Sequence, residues 1–294
     1  MDTSQTDVSP CPPPWQRPFH TYGGQACNPL MAGDGADRTP LHEAAYRGRL
    51  LQLRTLVAQG FHVDTPTMDG VSPLHEACLG GHYACAKFLL ENGANVDAVS
   101  VDGATPLFNS CSGGSAACVL LVLLRGPSVR ATHQLASPVH EAARKNHGAC
   151  LELLLLFGAR VDAELPLLGT PLYSACLASA VDCVELLLRS GADVRLGCEQ
   201  DSPLHAAVRG GEAAAVQLLL DFGADMSCRN AEGRSPLDLS APNSAARAAL
   251  QRRGPSSLTQ LCRVCVRQSL GSGRLHRTSS LSLPHAINDF LLYK

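Results

Sequence analysis

From about residue 37 onward, short apolar runs and polar connectors alternate on a fixed schedule. A Ser or Thr, a proline and then Leu or Val recur, with the proline at Pro40, Pro73, Pro106, Pro138, Pro171, Pro203 and Pro236. Successive spacings are 33, 33, 32, 33, 32 and 33 residues. A glycine follows each of the first six prolines after 20 residues, at Gly60, Gly93, Gly126, Gly158, Gly191 and Gly223. Length therefore varies only between that glycine and the next proline. The fixed part predicts a helix pair. Ser or Thr caps the first helix, proline takes the first position where no N–H is needed, and the helix runs from Leu41 to about Gly48. A second helix ends in a leucine pair, as in Leu89-Leu90, Leu154-Leu155, Leu187-Leu188 and Leu219-Leu220, and the glycine supplies the left-handed residue that closes it. The variable part carries Asp69-Gly70 and Asp102-Gly103, dipeptides suited to a tight hairpin tip. Helices this short are marginal alone in water, so each unit must bury its Leu/Ala face on its neighbours.

The seventh unit, SPLDLSAPNSAARAALQRRG, departs from the schedule: Pro242 falls inside it and 18 residues separate Pro236 from Gly254. It predicts a degenerate cap with a second helix from about Ser244 to Arg252. Beyond it the rhythm breaks. In SLTQLCRVCV, residues 257–266, the side chains of Leu258, Leu261, Cys262, Cys265 and Val266 fall at i, i+3, i+4, i+7 and i+8, one apolar stripe on a helix. Thr259, Gln260, Arg263 and Arg267 take the polar side, and Ser257 with Gln260 reads as a capping box. The stripe has to be buried, against its own chain or against a partner.

Composition narrows the class. Aromatic residues make up 4% of the 294-residue chain, so a core must rely on Leu, Ala and Val, which favours stacked helices over a β-sandwich. Seven arginines and no carboxylate lie between Arg247 and Arg277, leaving 17 basic against 26 acidic residues elsewhere: an acidic body with a basic tail. The N-terminus has no signal-peptide pattern. Apolar runs such as Cys118 to Leu124 fall short of the ~20 residues that span a bilayer. A cytosolic or nuclear protein is expected, its thirteen cysteines mostly thiols.

Candidate chemistry resolves into repeat structure. His42, His75, His140 and His205 each lie two residues after a proline, beside Glu43, Glu76 and Glu141 in the first, second and fourth units. A zinc-protease helix would need a second His four residues on, where Tyr46, Leu79, Arg144 and Arg209 stand instead. Recurrence once per unit predicts hydrogen bonds between repeats. Cys85, Cys118, Cys150 and Cys183, and Cys78, Cys111 and Cys176, form two columns whose members sit about 8–10 Å apart, too far to share a metal or a disulfide. They read as small core hydrophobes. Cys262 and Cys265 are formally C-x-x-C, but a zinc site needs a second ligand pair and a redox motif a βαβ setting. No phosphate-binding loop and no catalytic triad stands out, so no metal, cofactor or enzyme activity is expected. The Arg-rich tail lacks the interleaved aromatics of a single-strand binder, and neither nucleic acid nor membrane is expected as a partner.

TPLHEAAYRGRLLQLRTLVAQG and SPLHEACLGGHYACAKFLLENGANVDA resemble ankyrin repeats in period and in the T-P-L-H-x-A signature. Ser257-Leu258, Cys262 and Val266 are similar to the BC box, the Elongin C-binding helix that opens a SOCS box. Leu281-Ser282-Leu283-Pro284, with Ile287, Phe290 and Leu291 behind, resembles a Cullin-5 box in which Ser282 replaces a proline. On these motifs the chain is identified as a member of the ankyrin-repeat and SOCS-box family. Asn28-Pro29-Leu30-Met31, the HEACLGGH of the second repeat and Asn230-Ala231-Glu232-Gly233 are most similar to the family's ninth member, which recruits creatine kinase.

The resemblance implies an all-α fold, an ankyrin-repeat solenoid followed by a small helical SOCS box. Residues 1–36 are expected to be disordered, 37–253 to hold the repeats, and 254–294 the SOCS box, with its BC box at 257–266 and Cullin-5 box at 281–291. It also implies a substrate receptor of a ubiquitin ligase built on Elongin B/C, Cullin-5 and a RING protein. Leu258, Leu261, Cys262, Cys265 and Val266 would meet Elongin C, and Leu281, Leu283, Pro284, Ile287 and Phe290 the cullin. Met68, Asp69, Val101, Asp102, Gln134, Leu135, Leu167, Leu168 and Gln200, in the variable connectors, would meet the target protein, for which creatine kinase is one candidate. Two other classes stay open at this point: a stand-alone ankyrin scaffold or inhibitor, and a nucleic-acid-linked regulator using the basic tail.

Overall fold

The computed structural model describes residues 38–127, 137–252, 258–270 and 284–292. First helices start on the recurring prolines: α1 (Pro40–Tyr46), α3 (Pro73–Leu79), α5 (Pro106–Ser112), α7 (Pro138–Arg144), α9 (Pro171–Leu177), α11 (Pro203–Gly210) and α13 (Pro236–Leu239). Second helices are α2 (Leu50–Ala58), α4 (Tyr83–Glu91), α6 (Ala116–Leu123), α8 (Gly148–Leu156), α10 (Val181–Arg189), α12 (Ala213–Asp221) and α14 (Ala245–Arg252). Two further helices, α15 (Leu258–Leu270) and α16 (His285–Leu292), follow. The expected N-terminal segment 1–36, and Gln134, Leu135, Leu281 and Leu283, lie outside the described residues.

First helices pack on first helices and second on second, which makes a two-layer solenoid. Between the layers lie Leu41, Leu74, Leu107, Leu172 and Leu204 from one row and Leu89, Val122, Leu154, Leu187 and Leu219 from the other, all fully buried. Each such leucine contributes about 1.5–3 kcal/mol on leaving water. Thr105, Thr170, Ser202 and Ser235 accept the N–H three residues on, the cap the sequence predicts. The closing glycines have positive φ, from 75° at Gly126 to 97° at Gly60. Among the described residues the connectors form turns and two isolated bridges rather than strands. Helix α13 is only four residues long: its C-cap, Ser240, is already extended at φ −71° and ψ 130°, two residues ahead of Pro242.

The histidine column behaves as predicted. His42, His75, His140 and His205 reach Val71, Ala104, Gly169 and Arg234 carbonyls through Nε2 at 3.0, 3.1, 3.0 and 3.1 Å, each 29 residues on. The backbone N–H of Ser72 and of Ser202 donates to Nδ1 of His75 and His205. That leaves Nε2–H as the donor to the next repeat. Burial pushes the pKa of His75 and of His140 down to about 4, so both stay neutral. Phe108 and Tyr173 stand in the column's place in the third and fifth repeats; Tyr173 still reaches the next repeat, its hydroxyl donating to Asp201 Oδ2 at 3.4 Å, and beside it the Thr170 hydroxyl donates to Leu196 O at 2.9 Å. A second pair of histidines, not foreseen from sequence, ties the second and fourth repeats backwards. His82 meets Tyr46 O and His147 meets Cys111 O, both at 2.8 Å.

The carboxylates beside these histidines are structural as well. Glu76 pairs with Arg38, while Glu141 is held by Arg144 at 2.8 Å and by the Ser112 hydroxyl at 2.9 Å. Both cysteine columns are buried free thiols, with burial raising Cys78 and Cys183 to about 12 and Cys150 to about 11. No helix among the described residues is long and apolar enough to cross a membrane.

Candidate functional site

Helix α15 docks on the solenoid with the side that the sequence assigns to solvent. Arg267, expected on the polar face, is 8% exposed. Its guanidinium donates to Leu188 O at 2.7 Å and to Leu291 O at 2.8 Å, and lies 5.2 Å from the centroid of the Phe222 ring. The chemistry is specific. Leu188 is in the last turn of α10 and Leu291 in the last turn of α16, where carbonyls lack helical partners and partial negative charge collects. A planar fork with several donors bridges two such ends, and the ring face accepts the remaining positive charge. Periodicity places arginine on a polar face; only the assembled repeats supply the carbonyls that bury it.

The consequence concerns the opposite face. Arg267 is nine residues beyond Leu258, about 180° around the helix. With Arg267 turned to the repeats, the stripe turns away from them: Leu261 is 55% and Val266 40% exposed, and Cys262 and Cys265 are exposed free thiols. The chain's own solenoid does not cover these four residues. On α16, Leu291 is buried, its carbonyl bonded to Arg267, Phe290 is half-buried and Ile287 is exposed, as is Pro284 just before the helix. The side chains of Leu258 and Gln260, and Ser257 as a whole, are outside the described residues, so the expected capping box is too.

The connector tips form a separate surface. Met68 is 86% and Val101 72% exposed, with Asp102 exposed and Asp69 half-exposed beside them. A bond from Val101 N–H to Asp69 O at 2.8 Å brings these two tips together. Leu167 and Gln200 are exposed and Leu168 half-buried, in the fourth and fifth connectors, residues 159–170 and 192–202. Sequence reasoning singled out these tips but missed Arg267, Phe222 and the Leu188 carbonyl, for which no local signal exists.

Comparison with known proteins gives the same organisation. A model of ankyrin repeats matches residues 21–100 and 172–250, a single ankyrin-repeat model matches 135–164, and a SOCS box model matches 254–292. Ankyrin repeat and SOCS box protein 11 of Danio rerio is 57% identical over 279 residues, 95% of either chain. Protein 9 of Mus musculus is 54% identical over 267 residues, 90% of this chain and 92% of that one. The crystal structure of the human ASB11 ankyrin repeat domain superposes with a TM-score of 0.71 at 54% identity, covering 75% of this chain and all of that domain. Identity to the ninth member is thus no higher than to the eleventh, and it does not single out the branch that the short motifs suggested. A solenoid joined to a SOCS box has a substrate-recognition role in a cullin–RING ubiquitin ligase. The histidine-linked repeats, the SOCS box and relatives this similar over nearly the whole chain place it in the ankyrin repeat and SOCS box family.

Proposed function

We propose that this chain is the substrate receptor of a ligase assembled on Elongin B/C, Cullin-5 and a RING protein, and that it has no catalytic activity of its own. The observation that carries this reading is the outward apolar stripe of α15, held in that orientation by Arg267. An exposed stripe at helical spacing is the usual ligand of a hydrophobic groove. Leu258 anchors it in Elongin C, flanked by Leu261, Cys262, Cys265 and Val266. Pro284, Ile287 and Phe290, together with Leu281 and Leu283, form the cullin contact, with Ser282 standing where the box has its first proline. The repeats hold the target through the connector tips, raising the concentration of its lysines near the conjugating enzyme. The repeats then span 37–253 and the SOCS box 254–294, and the protein works in the cytoplasm. The target is a protein, and creatine kinase is the first to assay.

Co-expression with Elongin B/C, followed by gel filtration and capture of purified Cullin-5 or Cullin-2, tests the reading. A stable complex that captures Cullin-5 in preference to Cullin-2 is expected. A chain that elutes alone and stays monodisperse without Elongin B/C points instead to the stand-alone scaffold.

A further inference from the structure

Exposed apolar side chains concentrate on the first two connectors, residues 61–72 and 94–105. Phe61, Met68, Val99 and Val101 are all exposed there. The same two connectors hold Asp64, Asp69, Asp97 and Asp102 and no Lys or Arg, whereas every later connector contains at least one Arg. Two of those cations are used internally: Arg195 pairs with Asp193 at 2.7 Å and Arg234 with Glu232. Asp64 is occupied by the Asn95 N–H at 2.8 Å. Asp69 and Asp102 have no ion pair among the described residues, and each stands next to an exposed apolar side chain, Met68 or Val101.

The two tips are also fixed relative to each other. Besides the bond from Val101 N–H to Asp69 O, Gly70 sits at φ 73°, where a Cβ would lie 3.3 Å from Val99 O and 3.4 Å from Ser100 Cα. A surface already rigid before binding loses little freedom on complex formation.

We propose that this double tip receives an extended segment of the target protein in which two Lys or Arg side chains, about three residues apart, flank an apolar one. Charge complementarity selects cations over anions or an uncharged helix, because two uncompensated carboxylates border the apolar patch. Spacing follows from the stack. Adjacent repeats lie about 10 Å apart, and an extended chain covers that distance in about three residues at 3.3 Å each. The inference rests on the reading of the connector row as the target surface, and it assigns that surface a ligand class.

The full chain, wild type and carrying Asp69→Asn with Asp102→Asn, is immobilised and panned against a displayed library of random twelve-residue peptides. Asn-Gly turns as readily as Asp-Gly, so the double variant keeps its tips. Wild type is expected to enrich peptides with the basic–apolar–x–basic spacing. The best of these should bind the double variant about three- to thirtyfold more weakly, and should weaken with added salt. Enrichment without basic residues, no enrichment, or equal binding to both proteins overturns the inference. Elongin B/C retention is read on the same samples. Lost retention with an intact peptide preference refutes only the ligase reading, and the reverse refutes only the ligand class.

Discussion

Replacing Arg267 with Met keeps most of the side chain's length and removes its charge and donors. Two bonds from a cation to carbonyls contribute about 1.5–3 kcal/mol each, and the contact with Phe222 about 0.5–2 kcal/mol. Withdrawing a guanidinium from water offsets several kcal/mol of that sum. Leu188 O also keeps a second donor, the Gly191 N–H at 3.1 Å, so it is not orphaned by the change. The balance is a loss of about 2–4 kcal/mol in the docking of α15 and α16. Because the interaction ties the tail to the ends of α10 and α12 rather than joining the repeats to one another, the loss is local. Hydrogen exchange on the full chain reads it directly: amides of α15 and α16 should exchange about 30- to 700-fold faster, with those of α3 to α9 unchanged. Arg267→Lys, which reaches one carbonyl more easily than two, should fall between. Elongin B/C affinity should change little, because the stripe lies across the helix from position 267. Exchange in α15 and α16 within threefold of wild type would refute the clamp.

Three further outcomes follow from the repeats. His75 and His140 have folded-state pKa values near 4, below the ordinary value of about 6.5, so the unfolded chain binds protons that the folded chain refuses. Their contribution is complete above pH 6.5 and declines toward pH 4; at pH 5 each costs about 2 kcal/mol, and urea midpoints at pH 7 and 5 should differ less in His75→Gln. Native-state alkylation read by mass spectrometry should modify Cys262 and Cys265 while sparing buried Cys78, Cys111 and Cys176, and bound Elongin B/C should shield the first two. Leu187→Ala, at a fully buried position between α10 and its neighbours, should lower stability by about 2–5 kcal/mol in denaturant titration.

The helix pairs were legible because their signals are local. A proline at the first helical position, a capping hydroxyl and a left-handed glycine act within one unit, and repetition confirms each reading against the next. The histidine links could also be anticipated, since a polar side chain that returns every repeat must answer something that returns with it. Legibility failed where one residue serves two distant elements. Arg267 sits on a face that periodicity marks as wet, and nothing near it in the chain discloses that the ends of α10 and α16 converge there. Tyr173, in the place of a column histidine, is similar: its hydroxyl meets Asp201 only once the neighbouring repeat is in position. The stripe of α15 was readable as apolar, but its orientation was not, because orientation is set by the arginine behind it.

Calorimetric titration of purified Elongin B/C into the full chain, wild type and Leu258→Ala, tests the docking face most directly. Losing a leucine from a groove removes about 1.5–3 kcal/mol, so the variant should bind about ten- to 150-fold more weakly while its repeats unfold at the wild-type denaturant midpoint. Binding of both proteins within twofold of each other, or no heat with wild type, would contradict the account.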